Sequence, residues 1–539
     1  MKKALLISPP VYDTQYWERW SMPHGLLKVG TYLKRNGYQT KLIDCLEPDD
    51  KGVVKKKRVS LVQVGTGKRT KPDKWGRLAP DMKLFYCFGK DKEELEHSLR
   101  NGYLEDGDLY TPDEVWITSI MSYWWESTRD MVELCKRLFP KAKIRVGGIY
   151  PTLDPQHAAK RLGLDDPLIV PGKQLNLVDD AMMARDLIVT GEIPDANDLE
   201  LDHELYFEHG HNPKYTILTT SRGCPRDCEY CAAYVLSGRK VVSREPKSVI
   251  EEIRAKYERG VRDFCFYEDN LLMSKKSFKE ILTLICENKR DLKGIELHSP
   301  EGLEIRLVEP DLAKLMWDAG FRRVYLPLES INHKYISEFQ RDFYTLKHFE
   351  QAVKIFEQAG FTKPQQINVF VLFGLPGEDL QHVYDTAVYA ANRTGSVIPM
   401  LFAPVPGTPL FKKLEWYIEE RGFDFEHLNG KLLPFLEFNR RSLRGKYDLT
   451  IQNYYDIEAF MFRLNEKVRN STFRPGNDTR VSTAFRKVFT SYDSVYEEKE
   501  RPLYFPDMPA APAVGDSITE YHGSGKSLQV LQEDSAQLL

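Results

Sequence analysis

At 539 residues the chain is longer than one hydrophobic core accommodates, and about 150 residues per domain suggests about three or four units. Hydrophobic residues make up 42% and charged residues 29%, a globular composition that excludes collagenous, disordered and membrane-embedded chains. Lys and Arg number 76 against 79 Asp and Glu, so no global field argues for nucleic acid or an anionic membrane as partner. The first apolar run is too short for a signal peptide and stops at Pro9-Pro10, and no apolar run is long enough to span a bilayer. A cytoplasmic protein is expected.

In chain order, Ala4–Ser8 reads as a buried strand, Gly25–Asn36 as a helix closed by Gly37, and Gln39–Asp44 as a second strand. Val115–Ser119 is a further strand, Thr128–Phe139 a helix, and Lys143–Val146 a strand ending in Gly147-Gly148. This alternation predicts a doubly wound α/β domain over residues 1–195, with ligands at the C-terminal ends of its strands. Tyr123-Trp124-Trp125, at its junction with the next unit, is expected to be packing. Residues 47–110 form an insertion. Within it Lys51–Lys74 carries nine basic residues against one acid, Asp73, and Val59–Val64 before Gly65-Thr66-Gly67 reads as a hairpin. Val62 stands where a phosphate-binding loop needs glycine. A solvated charged hairpin is therefore expected over a site for RNA or a phosphorylated substrate.

Eight cysteines are too few for a disulfide scaffold. Cys45, Cys87, Cys135, Cys265 and Cys286 are scattered, whereas three fall in Cys224-Pro225-Arg226-Asp227-Cys228-Glu229-Tyr230-Cys231. Three thiolates on one loop can hold zinc or an iron–sulfur cluster. Structural zinc asks for four ligands, usually two separated pairs, and no second CxxC or HxxxH exists. A cubane normally takes four cysteines, so three leave one iron open to a small molecule. Closure by Cys265 or Cys286 is the alternative.

From 205 to 410 short β-rich runs alternate with helical patterns, the signature of parallel βα units. The strands read as Tyr215–Thr220, Asp263–Tyr267, Gly294–His298, Arg323–Leu328, Gln366–Phe373 and Val397–Phe402. Helices read as Ser248–Arg259, Lys275–Asn288, Asp311–Ala319 and Leu346–Ala359, the last with Leu346, Phe349, Val353 and Phe356 on one face. Residues 411–500 read as a helical cap, including Tyr454–Asn470 and Ser482–Tyr492, and 501–539 as a disordered tail.

Cys224, Cys228 and Cys231, with Tyr230 just before the last, resemble the radical S-adenosylmethionine enzymes. The resemblance implies a partial (β/α)6 TIM-like barrel and a [4Fe–4S] cluster on those three cysteines. Its open iron would chelate S-adenosylmethionine, whose sulfonium one electron cleaves. It also implies cofactor contacts from Tyr230 and from Glu268, Asp269 and Asn270, where the common Gly-Gly-Glu form is absent and the contacting residue stays open. Glu329 in the Glu-Ser segment, Arg341, and Gly374 in Gly374-Leu375-Pro376-Gly377-Glu378 complete the implied set, and Pro404–Pro409 resembles the family's closing turn.

The N-terminal domain resembles the cobalamin-binding (Rossmann-like) domain that precedes this barrel in one subclass, with Ser119, Gly147 and Gly148 at its cobalamin positions. Asp44-Cys45-Leu46-Glu47-Pro48 lacks the family's axial histidine, so cobalt, if bound, takes another ligand or water. The resemblance implies an enzyme that starts radical chemistry on a small molecule, with cobalamin-dependent methyl transfer to an unactivated carbon as the leading reaction. It takes its electron from a donor such as a flavodoxin or ferredoxin. Cobalamin-independent hydrogen abstraction or rearrangement is the alternative, and an RNA-binding protein with a structural cluster is the rival from another class.

Overall fold

The computed structural model describes residues 1–16, 21–48, 53–63, 69–70, 82–101, 110–165, 186–190, 204–207, 213, 215–340, 345–363, 366–394, 396–442 and 449–469. Arg341, the turn Gly65-Thr66-Gly67, the helix expected at Ser482–Tyr492 and the tail 501–539 lie outside them. No helix of the described residues is long and apolar enough to cross a membrane.

The N-terminal unit runs β1 (Lys3–Ser8), β2 (Val11–Asp13), α1 (His24–Arg35), β3 (Gln39–Asp44), β4 (Lys56–Gln63), β5 (Arg69–Thr70), β6 (Met82–Phe88), α2 (Lys92–Arg100), β7 (Glu114–Thr118), α3 (Trp125–Leu138), β8 (Lys143–Gly147), α4 (Ile149–Leu153), α5 (Pro155–Leu162) and β9 (Leu187–Ile188). Its main sheet has the order β3-β1-β7-β8-β9, parallel throughout. Strand β1 explains the two-sided burial. Leu5 and Ile7 pack with Met131 of α3 and Ala158 of α5, while Ala4 and Leu6 pack with Leu26, Leu27 and Leu33 of α1. Helices on both faces force a continuous apolar run instead of alternation. Each of the Leu, Ile and Met side chains contributes about 1.5–3 kcal/mol by leaving water.

The insertion builds a separate antiparallel sheet of order β2-β6-β4-β5. Its cations meet acids absent from the basic run itself: Lys55 pairs with Glu94, and Lys57 with Asp91 and Glu93. Asp91 also caps α2 in a reciprocal box with Glu94. Exposed pairs of this kind add little stability, but they remove two cations from the charge an RNA backbone would meet.

The second unit runs α6 (Glu204–Phe207), β10 (Tyr215–Leu218), β11 (Ser221–Arg222), α7 (Ala233–Ser237), β12 (Val242–Ser243), α8 (Pro246–Glu258), β13 (Asp263–Phe266), α9 (Lys275–Glu287), β14 (Glu296–His298), α10 (Pro310–Ala319), β15 (Val324–Glu329), α11 (His333–Ser337), α12 (Leu346–Ala359), β16 (Ile367–Phe373), α13 (Leu380–Thr394) and β17 (Val397–Leu401). Its parallel strands form two triplets, β10-β13-β14 and β15-β16-β17, joined by a single parallel bridge from Leu297 to Phe321. Phe264, Leu297, Leu326, Val369 and Val371 point outward into one core with the surrounding helices. Helix α12 opens on a capping box between Thr345 and His348. It ends at Gly360, where φ is +118° and a Cβ would press on the Trp317 ring at 3.0 Å. The other face of β15–β17 is only half-buried: Tyr325 and Phe370 stack at 5.6 Å, and Met400 is 44% exposed.

Helices α14 (Pro409–Arg421), α15 (Leu436–Ser442) and α16 (Ile451–Arg469) follow. They are tied to the N-terminal unit at Asp13, which is wholly buried. Its carboxylate accepts from Lys431 Nζ at 2.9 Å, Asn429 Nδ2 at 3.0 Å and Trp124 Nε1 at 3.0 Å. Trp124 packs against Tyr16 and Phe88, and Trp125 is buried with its indole N–H on Glu426 at 2.9 Å, so both indoles serve packing. Asp13→Ala removes the acceptor shared by three donors and, among the described residues, leaves Lys431 Nζ with only Gln15 O, at 2.9 Å. It is expected to lower unfolding free energy by about 2–4 kcal/mol, read from urea unfolding of the full chain.

Candidate cluster and cofactor site

The cysteine loop leaves the C-terminal end of β10, where parallel sheets present ligand-binding loops. Its base is a two-residue ladder, Ser221 opposite Ser243 and Arg222 opposite Val242. Gly223 then turns with φ +96°, and a Cβ there would lie 2.2 Å from the Lys240 carbonyl oxygen, so only glycine fits. The Cys224 N–H donates to Gly238 O at 3.0 Å, and the Cys231 N–H to Cys228 O at 3.1 Å. Cys224 and Cys228 are buried and Cys231 is half-buried.

Four carboxylates hold this loop. Glu268, just past β13, is buried and accepts from Thr220 N (2.6 Å), Thr220 Oγ1 (2.9 Å), Ser221 N (2.8 Å) and Ser221 Oγ (3.1 Å). Asp269 Oδ2 accepts the Gly223 N–H at 2.8 Å. Glu304 accepts from Arg226 Nε at 3.1 Å and Arg306 Nε at 3.0 Å. Glu229, inside the loop, takes Lys413 Nζ on both oxygens at 2.7 Å and Gln340 Nε2 at 3.1 Å. Glu268 and Asp269 are thus occupied with the loop's backbone, whereas Asn270 Oδ1 is buried with no hydrogen-bond partner. Sequence reasoning missed Thr220, Ser221, Arg226, Glu229, Glu304 and Lys413. The charged residues within the cysteine run were the available signal for Arg226 and Glu229.

The donor set fits a cubane better than zinc. Zinc–sulfur bonds of about 2.3 Å in a tetrahedron bring sulfurs to about 3.8 Å of one another. Among the described residues the group whose ligand atoms gather within 4.8 Å is Asp263, Glu296 and His298, not the cysteines. There His298 Nε2 already sits 2.7 Å from Asp263 Oδ1. Sulfurs held farther apart suit ligands that each take a separate iron. Cys286 lies in the last turn of α9, a helix running back from the loop's edge of the sheet, and Cys265 sits mid-sheet opposite His298.

The segments after β15 and β16 meet. Glu329, Ser330, Tyr335, Leu372, Leu375, Glu378 and His382 line one small pocket. Glu329 follows an irregularity in the register of β15 on β16 and adopts φ +59°, a conformation costing about 1–3 kcal/mol in a residue with a side chain. Glu378 accepts the Gly374 N–H at 2.7 Å, with Gly374 at φ +86°, and burial holds the Glu378 pKa well above the carboxylate range. Asn439 of α15 braces that turn, donating to Leu375 O at 2.9 Å and accepting from Gly377 N at 2.8 Å. The Tyr230 ring packs edge-on to Phe339 at 6.4 Å.

In the N-terminal unit Gly148 has φ +109°, and a Cβ there would stand 2.5 Å from Ser119 O. Ser119 Oγ bonds Thr128 Oγ1 at 2.8 Å, while Met121 and Ile149 stay 39% and 37% exposed on the same edge. Backbone without side chains beside an apolar rim suits a large flat ligand. The stretch after β3 offers no imidazole: Asp44 accepts from Tyr206 OH at 2.8 Å, and Cys45 and Leu46 are buried. The start of α1 reaches the cysteine edge. His24 lies 6.0 Å from the Tyr267 ring, and Lys28 Nζ meets Thr219 Oγ1 at 2.5 Å. Burial, then the nearby Lys28 and Arg222 charges, push the His24 pKa down to about 4, so it is neutral at pH 7.

Burial raises the Glu268 pKa to about 7 against four hydrogen bonds that lower it. The folded state therefore holds that proton more tightly than the unfolded chain. Its contribution to stability is fully present below about pH 4.3 and is lost as pH rises through about 7. Glu268→Gln is expected to flatten this slope in urea unfolding of the metal-free protein.

The radical SAM superfamily model matches residues 218–390. The cytidylyl-2-hydroxyethylphosphonate methyltransferase of Streptomyces wedmorensis is 23% identical over 384 residues, 58% of this chain and 70% of that protein. The bacteriochlorophyllide d C-12(1)-methyltransferase of Chlorobaculum tepidum is 26% identical over 226 residues, 40% of this chain and 46% of that one. The radical S-adenosylmethionine methyltransferase TsrM from Kitasatospora setae, solved with cobalamin and a [4Fe–4S] cluster, superposes with a TM-score of 0.50. It covers 77% of this chain and 78% of its own at 16% identity, a likeness of fold. With its cysteine loop at the head of that matched α/β segment, this chain carries a radical SAM domain over residues 218–390.

Proposed function

We propose that the chain is a radical S-adenosylmethionine methyltransferase that also binds cobalamin and methylates an unactivated carbon of a small molecule. The observation carrying this reading is the braced three-cysteine loop beside a buried acceptor, Asn270 Oδ1, that the fold leaves unused. When bound, the cluster supplies the electron that cleaves the sulfonium, and cobalamin supplies the methyl carrier.

Cys224, Cys228 and Cys231 are the cluster ligands. Asn270 accepts from the cofactor's ammonium, because Glu268 and Asp269 are already committed to the loop. Glu329 and Gly374 border the nucleoside, one by a carboxylate held at positive φ and the other by backbone that a side chain would obstruct. Arg341 is assigned to the cofactor carboxylate by its sequence position alone. Ser119, Gly147 and Gly148 cradle the nucleotide tail of cobalamin, with cobalt ligated by water or another group than a histidine of the 44–48 stretch. The relatives that are methyltransferases, and the TsrM structure with cobalamin, support the second cofactor. The electron comes from a small redox protein of the flavodoxin or ferredoxin type.

Anaerobically reconstituted protein given S-adenosylmethionine and dithionite is expected to release 5′-deoxyadenosine. Cys224→Ala is expected to abolish both cluster and product, and an active Cys224→Ala protein refutes the ligand assignment. Asn270→Ala is expected to weaken cofactor binding about tenfold, about 1.4 kcal/mol, at unchanged iron content. Gly148→Val is expected to remove the corrinoid absorbance that wild-type protein retains after hydroxocobalamin loading and desalting. Wild-type protein that retains none argues against methyl transfer through cobalt.

A further inference from the structure

We propose that Lys413 poises the reduction potential of the cluster through Glu229, an inference that rests on the reading of Cys224, Cys228 and Cys231 as cluster ligands. Glu229 sits between Cys228 and Tyr230, and its side chain is 6% exposed. Both its oxygens accept from Lys413 Nζ at 2.7 Å, and Oε1 also accepts from Gln340 Nε2 at 3.1 Å. The backbone locks the same position: the Glu229 N–H donates to Phe339 O at 3.1 Å, and Glu229 O accepts the Leu410 N–H at 3.0 Å. Gln340 holds φ +53° to reach it, a strained conformation for a residue with a side chain.

A full negative charge is therefore built into the loop one residue from a ligand, and α14 supplies the cation that matches it. On the loop's other side Glu304 is matched the same way by Arg226 and Arg306. A cubane on three thiolates is already anionic when oxidised and gains a further negative charge on reduction. Nearby charge and hydrogen bonding therefore act directly on its potential. The Glu229 side chain is nearly buried and Cys228 is buried, so the interaction is less screened than one on an open surface. The matched pair leaves the potential near what the thiolates alone would set. An unmatched Glu229 opposes the incoming electron, and an unmatched Lys413 favours it. Lys413 touches no cofactor in this scheme; it is a positioning residue acting through Glu229.

The test is an EPR-monitored redox titration of the reconstituted full-length protein, with iron and sulfide quantified, before any S-adenosylmethionine is added. At the wild-type midpoint, Lys413→Met is expected to lower the ratio of reduced to oxidised cluster about tenfold, a shift of about 59 mV to more negative potential. Glu229→Gln is expected to shift the midpoint in the opposite direction. The double variant should return close to wild type, and Lys413→Arg should preserve the wild-type value. Single variants that load a full cluster and share the wild-type midpoint overturn the proposal. So do variants that lose the cluster altogether, because Lys413 would then hold the loop without poising it. Wild-type protein that takes up no cluster overturns the cluster reading itself, which separates the two failures.

Discussion

Glu268 accepts four hydrogen bonds from two consecutive residues, and the candidate site is built outward from that clamp. Thr220 and Ser221 follow the strand that delivers the cysteine loop, so gripping both their N–H groups and both hydroxyls fixes the direction in which the loop departs. Buried N–H groups need partners, and at a strand end the neighbouring strand no longer supplies them. A carboxylate from the adjacent strand's exit fills that need, and Asp269 extends the grip to Gly223. The cost is a carboxyl group removed from water, visible as its raised pKa. Three cysteines on a loop of turn-forming residues would otherwise sample many arrangements, and a cluster needs one.

The two α/β units share a buried core, where Leu5 and Ile7 fall in one cluster with Tyr335, Phe339 and Phe402. Helix α1 brings His24 and Lys28 to the cysteine edge, and Asp13, the last residue of β2, gathers donors from the aromatic turn before α3 and from the segment between α14 and α15. Asn439 reaches from α15 to the turn after β16. A reactive site gains from such closure because excluded water can neither quench an intermediate nor screen the fixed charges around it. The positive φ angles at Glu329 and Gln340 fall in the same region, where packing over-determines the backbone and strain is tolerated.

Much of the architecture was legible in the sequence. Strands β10 and β13–β17 begin within two residues of the expected positions, and α12 spans the expected Leu346–Ala359. Period and punctuation carry such information, since a parallel strand buried on both faces reads as a continuous apolar run and a helix with one buried face repeats every three or four residues. The cysteine spacing led to the reading of a metal or cluster loop because so few uses suit three thiolates within eight residues. The absence of histidine after β3 was also plain. The insertion was less legible: β6 and α2 were not read, and the acids that neutralise Lys55 and Lys57 lie beyond the run whose charge was counted.

Sequence by itself determined the order of elements, the loop bearing the thiols and the class of cofactor they suit, because these follow from local spacing and residue chemistry. The tertiary structure alone decided the division of labour among Glu268, Asp269 and Asn270, three neighbours with nearly equivalent polar side chains. It also decided which cation faces Glu229, for Lys413 is 184 residues away along the chain. Hydrogen bonds and ion pairs depend on distance and angle in space. Chain separation leaves no trace of them until the sheets and helices have packed.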